Sequence, residues 1–358
     1  EDAWRWRVHG GQPDSMRAVK SLVSLSARSN VGTALQLPKS ARRPVCVMAT
    51  HADAGPGASA FVSPSWLAAR LNDQSVKVLD ASWFMPAFKR DAIAEFKAER
   101  IPGSAFFDID GIADVSTGLP HMVPSEAAFA AAMDVLGITP ETHVVLYDRM
   151  GMFSAPRAWF TFRVFGHCKV SVMEGGMPAW KELNLPLETS LVSDDTMAAP
   201  AMAARADPPP PAAYLAKLDS SKIRSRDDML HNVNSKEAIV VDARSAGRFV
   251  GTEPEPRAGL KSGHIPGARN IPFPQVLDEG CKFKSVDELK AVFSAAGVNV
   301  DGQQPLVGSC GSGLTACVLA LAVFKATGNL IAVYDGSWME WGDPVRCDTN
   351  PVSTSKED

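Results

Sequence analysis

Apolar residues alternate along this chain between short runs and longer stretches of helical periodicity. The short runs at 78–79 and 240–241 each end in an aspartate, as expected of a buried strand that stops at a polar loop. Apolar residues recur at helical spacing at 126–136 and 286–295. Alternating strands and helices predict an α/β fold in which a mainly parallel sheet carries helices on both faces.

The same pattern returns about 160 residues later along the chain. The aligned segments, in order, are 78–81 with 240–243, 101–103 with 265–267, 144–147 with 305–308, and 174–180 with 335–341. A tandem duplication of one domain explains this order. We expect the first copy at 61–190 and the second at 226–347, followed by a flexible tail at 348–358.

A proline-rich linker at 191–225 is predicted between the two copies. It contains four consecutive prolines at 208–211, and we expect neither helix nor strand from 198 to 211. Because polyproline is extended and semi-rigid, the linker is expected to set a spacing between the copies.

The first 52 residues have a composition of their own. No Asp or Glu lies between Ser15 and Ala52, where six Lys and Arg stand among Ser, Ala, Val and Leu. This composition is typical of a mitochondrial or plastid transit peptide, and the stretch lacks the continuous apolar core of a secretory signal. A disordered basic tail is the alternative. Residues 1–15 show no pattern, so Met16 is a candidate start.

Composition excludes several classes of protein. Hydrophobic residues make up 46% of the chain and charged residues 21%, which is typical of a folded globular protein. The formal charge of −4 and the absence of a long basic run argue against a nucleic-acid-binding surface. The longest apolar stretch, 314–324, is shorter than the roughly 20 residues of a membrane span. Six dispersed cysteines predict reduced thiols, and no spacing suggests a metal site.

One loop of the second copy has the composition of a reactive site. An apolar strand ends at Ser309 and is followed by the sequence CGSGLTA at 310–316 and an apolar helix. Small residues let successive backbone N–H groups turn inward and form an anion-binding nest at the positive end of the helix dipole. A thiol there forms a thiolate readily, so Cys310 is a candidate nucleophile. The alternative is a buried, inert thiol, which is our interpretation of Cys317.

The first copy carries Asp148 at the position equivalent to Cys310, followed by Arg149 and Met150. A carboxylate cannot accept a sulfur atom, and the two larger side chains are expected to fill the space that glycine and serine leave open. The alignment therefore predicts that only the second copy reacts.

The sequence resembles the two-domain rhodanese-like sulfurtransferases, in particular their mercaptopyruvate branch. The resemblance covers about 61–343 and rests on CGSGLTA at 310–316, GHIPG at 263–267 and GTEPEPR at 251–257. It implies that Cys310 forms a persulfide, that the N-terminal domain is inert, and that the active site lies between the domains.

The resemblance also implies roles for individual residues. Arg248 and Arg257 match the arginines that bind the substrate's carboxylate and keto oxygen, a task suited to the planar guanidinium. Asp110, His121 and Ser312 match a proton relay that serves Cys310. The remaining loop positions expected at the substrate are Gly311, Gly313, Leu314 and Thr315. His264 lies in a Pro-Gly turn where the first copy has Arg100, so we interpret it as structural.

The loop also helps to choose among reactions. Cysteine phosphatases need an arginine six residues after the nucleophile, where this chain has Ala316. The thiosulfate-preferring branch carries basic side chains directly after its cysteine, whereas Gly311 and Ser312 are neutral. The sequence therefore favours 3-mercaptopyruvate, with thiosulfate as the alternative or secondary donor.

The predicted reaction passes sulfur from 3-mercaptopyruvate through a Cys310 persulfide to a thioredoxin-like protein, a small thiol or cyanide, and releases pyruvate. It requires no cofactor, and hydrogen sulfide is a further expected product. Neither nucleic acid nor membrane is an expected partner. The alternative to an enzyme is a non-catalytic rhodanese-like binding module.

Overall fold

The computed structural model describes residues 59–354, apart from the side chain of Cys347. The first copy contains β1 (Phe61–Val62), α1 (Pro64–Ala68), β2 (Val76–Asp80), α2 (Ala92–Ala98), β3 (Ala105–Phe106), α3 (Ile109–Ile112), α4 (Glu126–Val135), β4 (His143–Tyr147), α5 (Ala155–Val164), β5 (Val170–Met173) and α6 (Gly176–Glu182). A helix α7 (Asp194–Arg205) follows. The second copy contains β6 (Ile223–Arg224), α8 (Arg226–Ser235), β7 (Ile239–Asp242), α9 (Ala246–Phe249), β8 (Arg269–Asn270), α10 (Val286–Ala295), β9 (Leu306–Ser309), α11 (Ala316–Thr327), β10 (Ala332–Tyr334), α12 (Ser337–Trp341) and α13 (Pro344–Cys347).

Each copy is built on a five-stranded parallel sheet. The strand orders are β1-β5-β4-β2-β3 and β6-β10-β9-β7-β8, so the two sheets have the same topology. Val78 pairs with Val145 in the first sheet, and Val240 pairs with Val307 in the second. The common order confirms the predicted α/β fold with two duplicated domains.

Alternate residues of the central strands pack into cores on opposite faces of each sheet. Leu79 and Val78 belong to different hydrophobic clusters, as do Val241 and Val240. One cluster contains residues of both copies, because α5 and α11 pack together between the sheets. Trp159 of α5 meets Phe324 of α11 edge-on, with 5.1 Å between ring centroids. This shared core fixes the two copies against each other.

The linker contains a helix, whereas its prolines predict an extended chain. Ser193 caps α7 by accepting the N–H of Thr196, and the helix continues through Pro200, so the expectation that 198–205 is non-helical is wrong. The three buried residues Met197, Pro200 and Ala204 lie on one face of α7, which packs against α3 and α4. Burial of this face offsets the hydrogen bond lost at Pro200. The linker therefore follows the surface of the first copy.

The segment at 348–354 is packed and does not form the flexible tail predicted there. Trp341 donates its indole N–H to the carbonyl of Pro351, and Asn350 is buried and donates to the carbonyl of Trp341. Ser353 pairs with His264 as an isolated antiparallel bridge. The rest of the predicted tail and the predicted transit peptide lie outside the described residues. Among described helices, none is long and apolar enough to cross a membrane.

Candidate active site

Cys310 begins the loop between β9 and α11 and is 1% exposed. Its N–H donates to the hydroxyl of Ser337 at 3.2 Å, and its carbonyl accepts the N–H of Trp338 at 3.0 Å. The carbonyl of Gly311 accepts the N–H of Met339 at 2.9 Å. The start of α12 thus holds the beginning of the loop in place.

In the first copy, the loop equivalent to the Cys310 loop binds the carboxylate of its own Asp148. This carboxylate accepts five backbone N–H groups at 2.7–2.9 Å, from Met150, Gly151, Phe153, Ser154 and Ala155. Backbone donors that converge in this way form a site for a negative charge. The loop of the first copy is therefore an anion nest filled by its own side chain.

The loop of the second copy presents the same donors with a thiol in place of the carboxylate. The first four Asp148 donors align with Ser312, Gly313, Thr315 and Ala316. Within the described part of the chain, no backbone N–H from 311 to 316 has a protein acceptor. The repeat thus places Cys310 where the first copy has Asp148, at the head of a loop whose four aligned N–H groups are not used by protein acceptors among the described residues.

Two other buried thiols have environments that oppose thiolate formation. Burial raises the pKa of Cys317 and of Cys281 to about 12. Cys317 donates its S–H to the carbonyl of Gly313, with 3.3 Å between Sγ and O. Both thiols are therefore protonated near neutral pH, which agrees with the interpretation of Cys317 as a packing residue.

A buried histidine, His121, pairs with the partly exposed Asp110 on the first copy. Nδ1 of His121 lies 2.5 Å from Oδ1 of Asp110, and the indole N–H of Trp83 donates to Oδ2 at 2.7 Å. Burial raises the pKa of Asp110, but the hydrogen bond and charge of His121 and the Trp83 bond outweigh it, so the pKa lies below its ordinary value. Asp110 is thus an anion that fixes the imidazole, while Nε2 of His121 is buried without a hydrogen-bond partner among the described residues.

The proposed continuation of that relay stays a prediction. In the described part of the structure the Ser312 hydroxyl makes no hydrogen bond, and His121 makes none with Ser312 or Cys310. The structure thus brings Asp110 and His121 together, whereas the Ser312 step awaits a test.

Of the two predicted substrate arginines, Arg248 lies against the Cys310 loop and Arg257 lies within electrostatic range of it. A Cβ added to Gly311 would lie 3.1 Å from Nη2 of Arg248, so that guanidinium rests directly against the loop. Burial lowers the pKa of Arg257, and the charges of Asp110, Arg248 and Cys310 act on the same guanidinium. Arg257 therefore lies within electrostatic range of these three groups, which come from both copies.

The sequence profile of the rhodanese-like domain matches this chain twice, at residues 63–183 and 225–343. The chain belongs to the rhodanese-like family. It is 39% identical over 336 residues to thiosulfate/3-mercaptopyruvate sulfurtransferase 1, mitochondrial, from Arabidopsis thaliana, covering 90% of this chain and 88% of the relative. It is 43% identical over 289 residues to thiosulfate sulfurtransferase from Cricetulus griseus, covering 79% of this chain and 91% of the relative.

A solved rhodanese structure has the same fold. The crystal structure of SseA from Escherichia coli, described with the 3-mercaptopyruvate sulfotransferases, aligns with a TM-score of 0.66 at 35% identity. The alignment covers 78% of this chain and 99% of SseA. Because these relatives are named for thiosulfate, for 3-mercaptopyruvate or for both, membership of the rhodanese-like family does not decide the sulfur donor.

Glu255 is a member of this rhodanese site that the sequence interpretation missed. Its carboxylate is 3% exposed and accepts Nε of Arg248 at 3.2 Å and Nη2 at 2.5 Å. It also accepts Nη1 of Arg244 at 2.7 Å, and Arg244 is paired with Asp242. The signal was present in the motif GTEPEPR, which places a carboxylate seven residues after Arg248.

His264 has structural contacts in the second rhodanese domain. It is buried, its ring stacks on Phe249 with 3.7 Å between centroids, and its Nδ1 lies 2.8 Å from the Phe249 carbonyl. These contacts hold Phe249, the neighbour of Arg248 in the chain, in place. In the described part of the chain, no group of three His, Cys, Asp or Glu side chains could hold a metal ion.

Proposed function

We propose that this chain is a sulfurtransferase that carries sulfane sulfur as a persulfide on Cys310, with 3-mercaptopyruvate as the preferred donor. The observation that carries this proposal is the pair of matching nests. Five backbone donors bind the carboxylate of Asp148, and four of the five aligned N–H groups in the Cys310 loop have no protein acceptor among the described residues. A site built to hold a negative charge stabilises both a thiolate and the persulfide anion formed from it.

The proposed reaction has two half-reactions. In the first, the Cys310 thiolate attacks the donor sulfur, an S–S bond forms and the C–S bond breaks. The bonding electron pair leaves with the carbon fragment, which becomes pyruvate by protonation at carbon, directly or through its enolate. In the second, an acceptor thiolate attacks the outer sulfur and regenerates the Cys310 thiolate, so the kinetics are ping-pong and no cofactor is required.

Arg248 and Arg257 would bind the donor's carboxylate and keto oxygen at the wall of the site. Guanidinium groups can present two parallel N–H donors to such oxygens. Arg248 already donates through Nε and Nη2 to Glu255, which leaves Nη1 for a ligand. The fixed pairing supports a role in orientation, because the guanidinium is held before the substrate arrives.

The charge of the site supports 3-mercaptopyruvate over thiosulfate. Gly311 and Ser312 add no positive charge next to the sulfur, and Glu255 offsets part of the charge of Arg248. A dianion such as thiosulfate gains more from an excess of positive charge than a monocarboxylate does. Thiosulfate remains the alternative donor, in agreement with the double name of the Arabidopsis relative.

The His121–Asp110 pair supports a role in proton movement. Asp110 holds Nδ1, so the proton exchanged during the reaction would be carried at Nε2. Ser312 would connect Nε2 to the reacting sulfur, which requires the hydroxyl to turn toward His121.

The acceptor and the location are parts of the same proposal. A thioredoxin-like protein or a small thiol would receive the sulfur as a persulfide, with cyanide as an assay acceptor. Hydrogen sulfide is a further product when a second thiol attacks the inner sulfur of that acceptor persulfide, so that a disulfide forms and sulfide leaves. Mitochondrial or plastid import is supported by the acid-free basic segment before residue 52 and by the Arabidopsis relative, which is named mitochondrial.

The function is tested by exposing the purified chain to each donor without an acceptor. We expect 3-mercaptopyruvate to add about 32 Da, the mass of one sulfur atom, to the peptide that contains Cys310, because the persulfide is a stable resting form. In steady state, kcat/KM for 3-mercaptopyruvate should exceed that for thiosulfate. A non-catalytic binding module would show no added mass with either donor, and a reversed kcat/KM order would assign the chain to the thiosulfate branch.

Replacing Arg248 or Arg257 by lysine should lower kcat/KM for 3-mercaptopyruvate by about ten- to a hundredfold, or about 1.4 to 2.8 kcal/mol. Lysine keeps the charge but loses the fixed planar set of N–H donors, so at position 248 it cannot be held by Glu255 and still present a fixed donor to the substrate. Arg70→Lys is the matched control, since Arg70 donates to the carbonyl of Trp66 in the first domain. Persulfide should still form at high donor concentration. Equal losses in the control and the two site variants would remove these arginines from the donor site.

A further inference from the structure

Arg157 lies in the first turn of α5 and is 1% exposed. Arg163, in the last turn, is the other charged residue of that helix. Nη2 of Arg157 donates to Oδ1 of Asp335 at 2.7 Å and to the carbonyl of His121. Its Nη1 donates to the carbonyl of Gly313 at 3.3 Å. One guanidinium of the first domain therefore contacts the Cys310 loop, the His121 segment and a carboxylate of the second domain.

Asp335 completes this connection from the other side. Its Oδ1 accepts Arg157, and its Oδ2 accepts the N–H of Val123 at 2.8 Å. Val123 lies two residues after His121, so Asp335 of the second domain holds the histidine segment of the first. The buried pair is thus bonded to both segments that the proposed reaction requires.

Electrostatics keep Arg157 protonated. Burial by itself lowers the pKa of Arg157, but the charge and hydrogen bond of Asp335 outweigh it, so the pKa is raised. Burying an ion pair costs desolvation energy that good geometry only partly returns, so such a pair is weak evidence for stability alone. A role in fixing the position of groups accounts better for its presence.

The duplication places this pair at the reactive loop only. The repeat aligns Arg157 with Leu319, which is fully buried in α11, and aligns Asp335 with Glu174. Glu174 instead forms a partly exposed ion pair with Lys325 at 3.5 Å. The loop of Asp148 therefore has no equivalent of the Arg157 contact among the described residues.

Gly313 is the point at which the pair meets the nest. Gly313 has φ +78°, and a Cβ there would lie 2.6 Å from the carbonyl oxygen of Asp335 and 3.2 Å from Nη1 of Arg157. Its carbonyl accepts Arg157, while its own N–H and that of Thr315 are two of the donors aligned with those at Asp148. The Gly313 carbonyl shares its planar peptide unit with the N–H of Leu314, which lies between these two donors. Fixing this carbonyl therefore restrains the stretch of loop that connects them.

We propose that Arg157 is a positioning residue that orients the Cys310 nest and the His121 segment across the domain boundary. As a role within sulfur transfer, it rests on the proposed function. Arg157 does not touch the donor. It acts through the Gly313 and His121 carbonyls, and so the inert domain supplies a part of the catalytic geometry.

The test compares Arg157→Lys with Arg149→Lys. Arg149 is also buried and pairs with Asp80 at 3.1 Å, but it contacts neither the Cys310 loop nor His121. Lysine at 157 keeps the charge for Asp335 and cannot serve both carbonyls. We expect Arg157→Lys to lower kcat for persulfide formation by about ten- to a hundredfold with KM within about twofold, and Arg149→Lys to leave both within about twofold.

A second measurement needs no sulfur transfer. The rate at which iodoacetamide alkylates the Cys310 peptide is followed against pH, since only the thiolate reacts. In Arg157→Lys the midpoint of this profile should move to higher pH by about half a unit or more, because the nest donors are no longer aligned. The Arg149→Lys profile should match that of the wild type.

The outcomes separate the two proposals. If both variants lose kcat equally and neither profile moves, Arg157 is only a structural residue and the positioning proposal is overturned. If the wild type forms no persulfide, the proposed function fails, and the alkylation profiles alone decide whether Arg157 orients the nest. If Arg157→Lys does not fold, Asp335→Asn, which keeps the shape of the side chain, replaces it in both measurements.

Discussion

Sulfur transfer will be lost when Cys310 is replaced by serine, while the fold is retained. Serine has nearly the same volume as cysteine, and the backbone hydrogen bonds at position 310 to Ser337 and Trp338 do not involve the side chain. A hydroxyl cannot form a persulfide, so turnover should fall to background. Turnover, circular dichroism and the mass of the Cys310 peptide measure the three parts of this expectation.

Cys281→Ser is the matched control for this experiment. Cys281 is a buried thiol whose pKa is raised to about 12 by burial, so it should not react near neutral pH. We expect the control to keep turnover within about threefold. Turnover in Cys310→Ser above a trace, with an unchanged dichroism spectrum, would show that another group carries the sulfur.

Replacing Asp148 by alanine should lower the free energy of unfolding by about 3 to 5 kcal/mol. Five backbone N–H groups would lose a charged acceptor in a buried loop, and each unsatisfied buried donor costs about 1 to 3 kcal/mol before water enters. Denaturant unfolding measures this loss. The kcat of the folded fraction should stay within about threefold, because the Asp148 carboxylate bonds to its own loop in the first domain and not to the Cys310 loop.

Asp148→Asn separates the charge from the shape at the same position. The amide keeps one acceptor oxygen and turns the other into a donor that faces the N–H groups of the loop, so an intermediate loss of stability is expected. A loss below about 1 kcal/mol in the alanine variant would mean that the nest gains little from a bound anion. The same conclusion would then apply to the Cys310 loop.

The repeating pattern of the chain was enough to predict the fold. Aspartates at the ends of two apolar runs fixed the alignment of the copies, and this alignment placed Asp148 opposite Cys310. Helix α10 has the predicted bounds because Ser285 and Glu288 form a capping box at its start. Local signals of this kind act within a few residues and can be recognised in a sequence.

The linker helix and the buried arginine depended on contacts that the sequence does not display. Four prolines at 208–211 suggested an extended linker, but packing against α3 and α4 favours a helix at Asp194–Arg205. Arg157 and Asp335 are 178 residues apart in sequence. The available signal was an arginine in the first turn of the otherwise mostly apolar α5, and without the fold this signal does not indicate a partner.

The buried pair has a consequence for the evolution of this chain. After a duplication, the copy that loses its chemistry is ordinarily free to be deleted. Here deletion of the first domain would leave Asp335 without its guanidinium and α11 without the cover of α5. The second domain could return to an independent existence only after compensating substitutions at both places. We therefore expect the first domain to be retained for the residues that it holds in place, whether or not it carries out chemistry of its own.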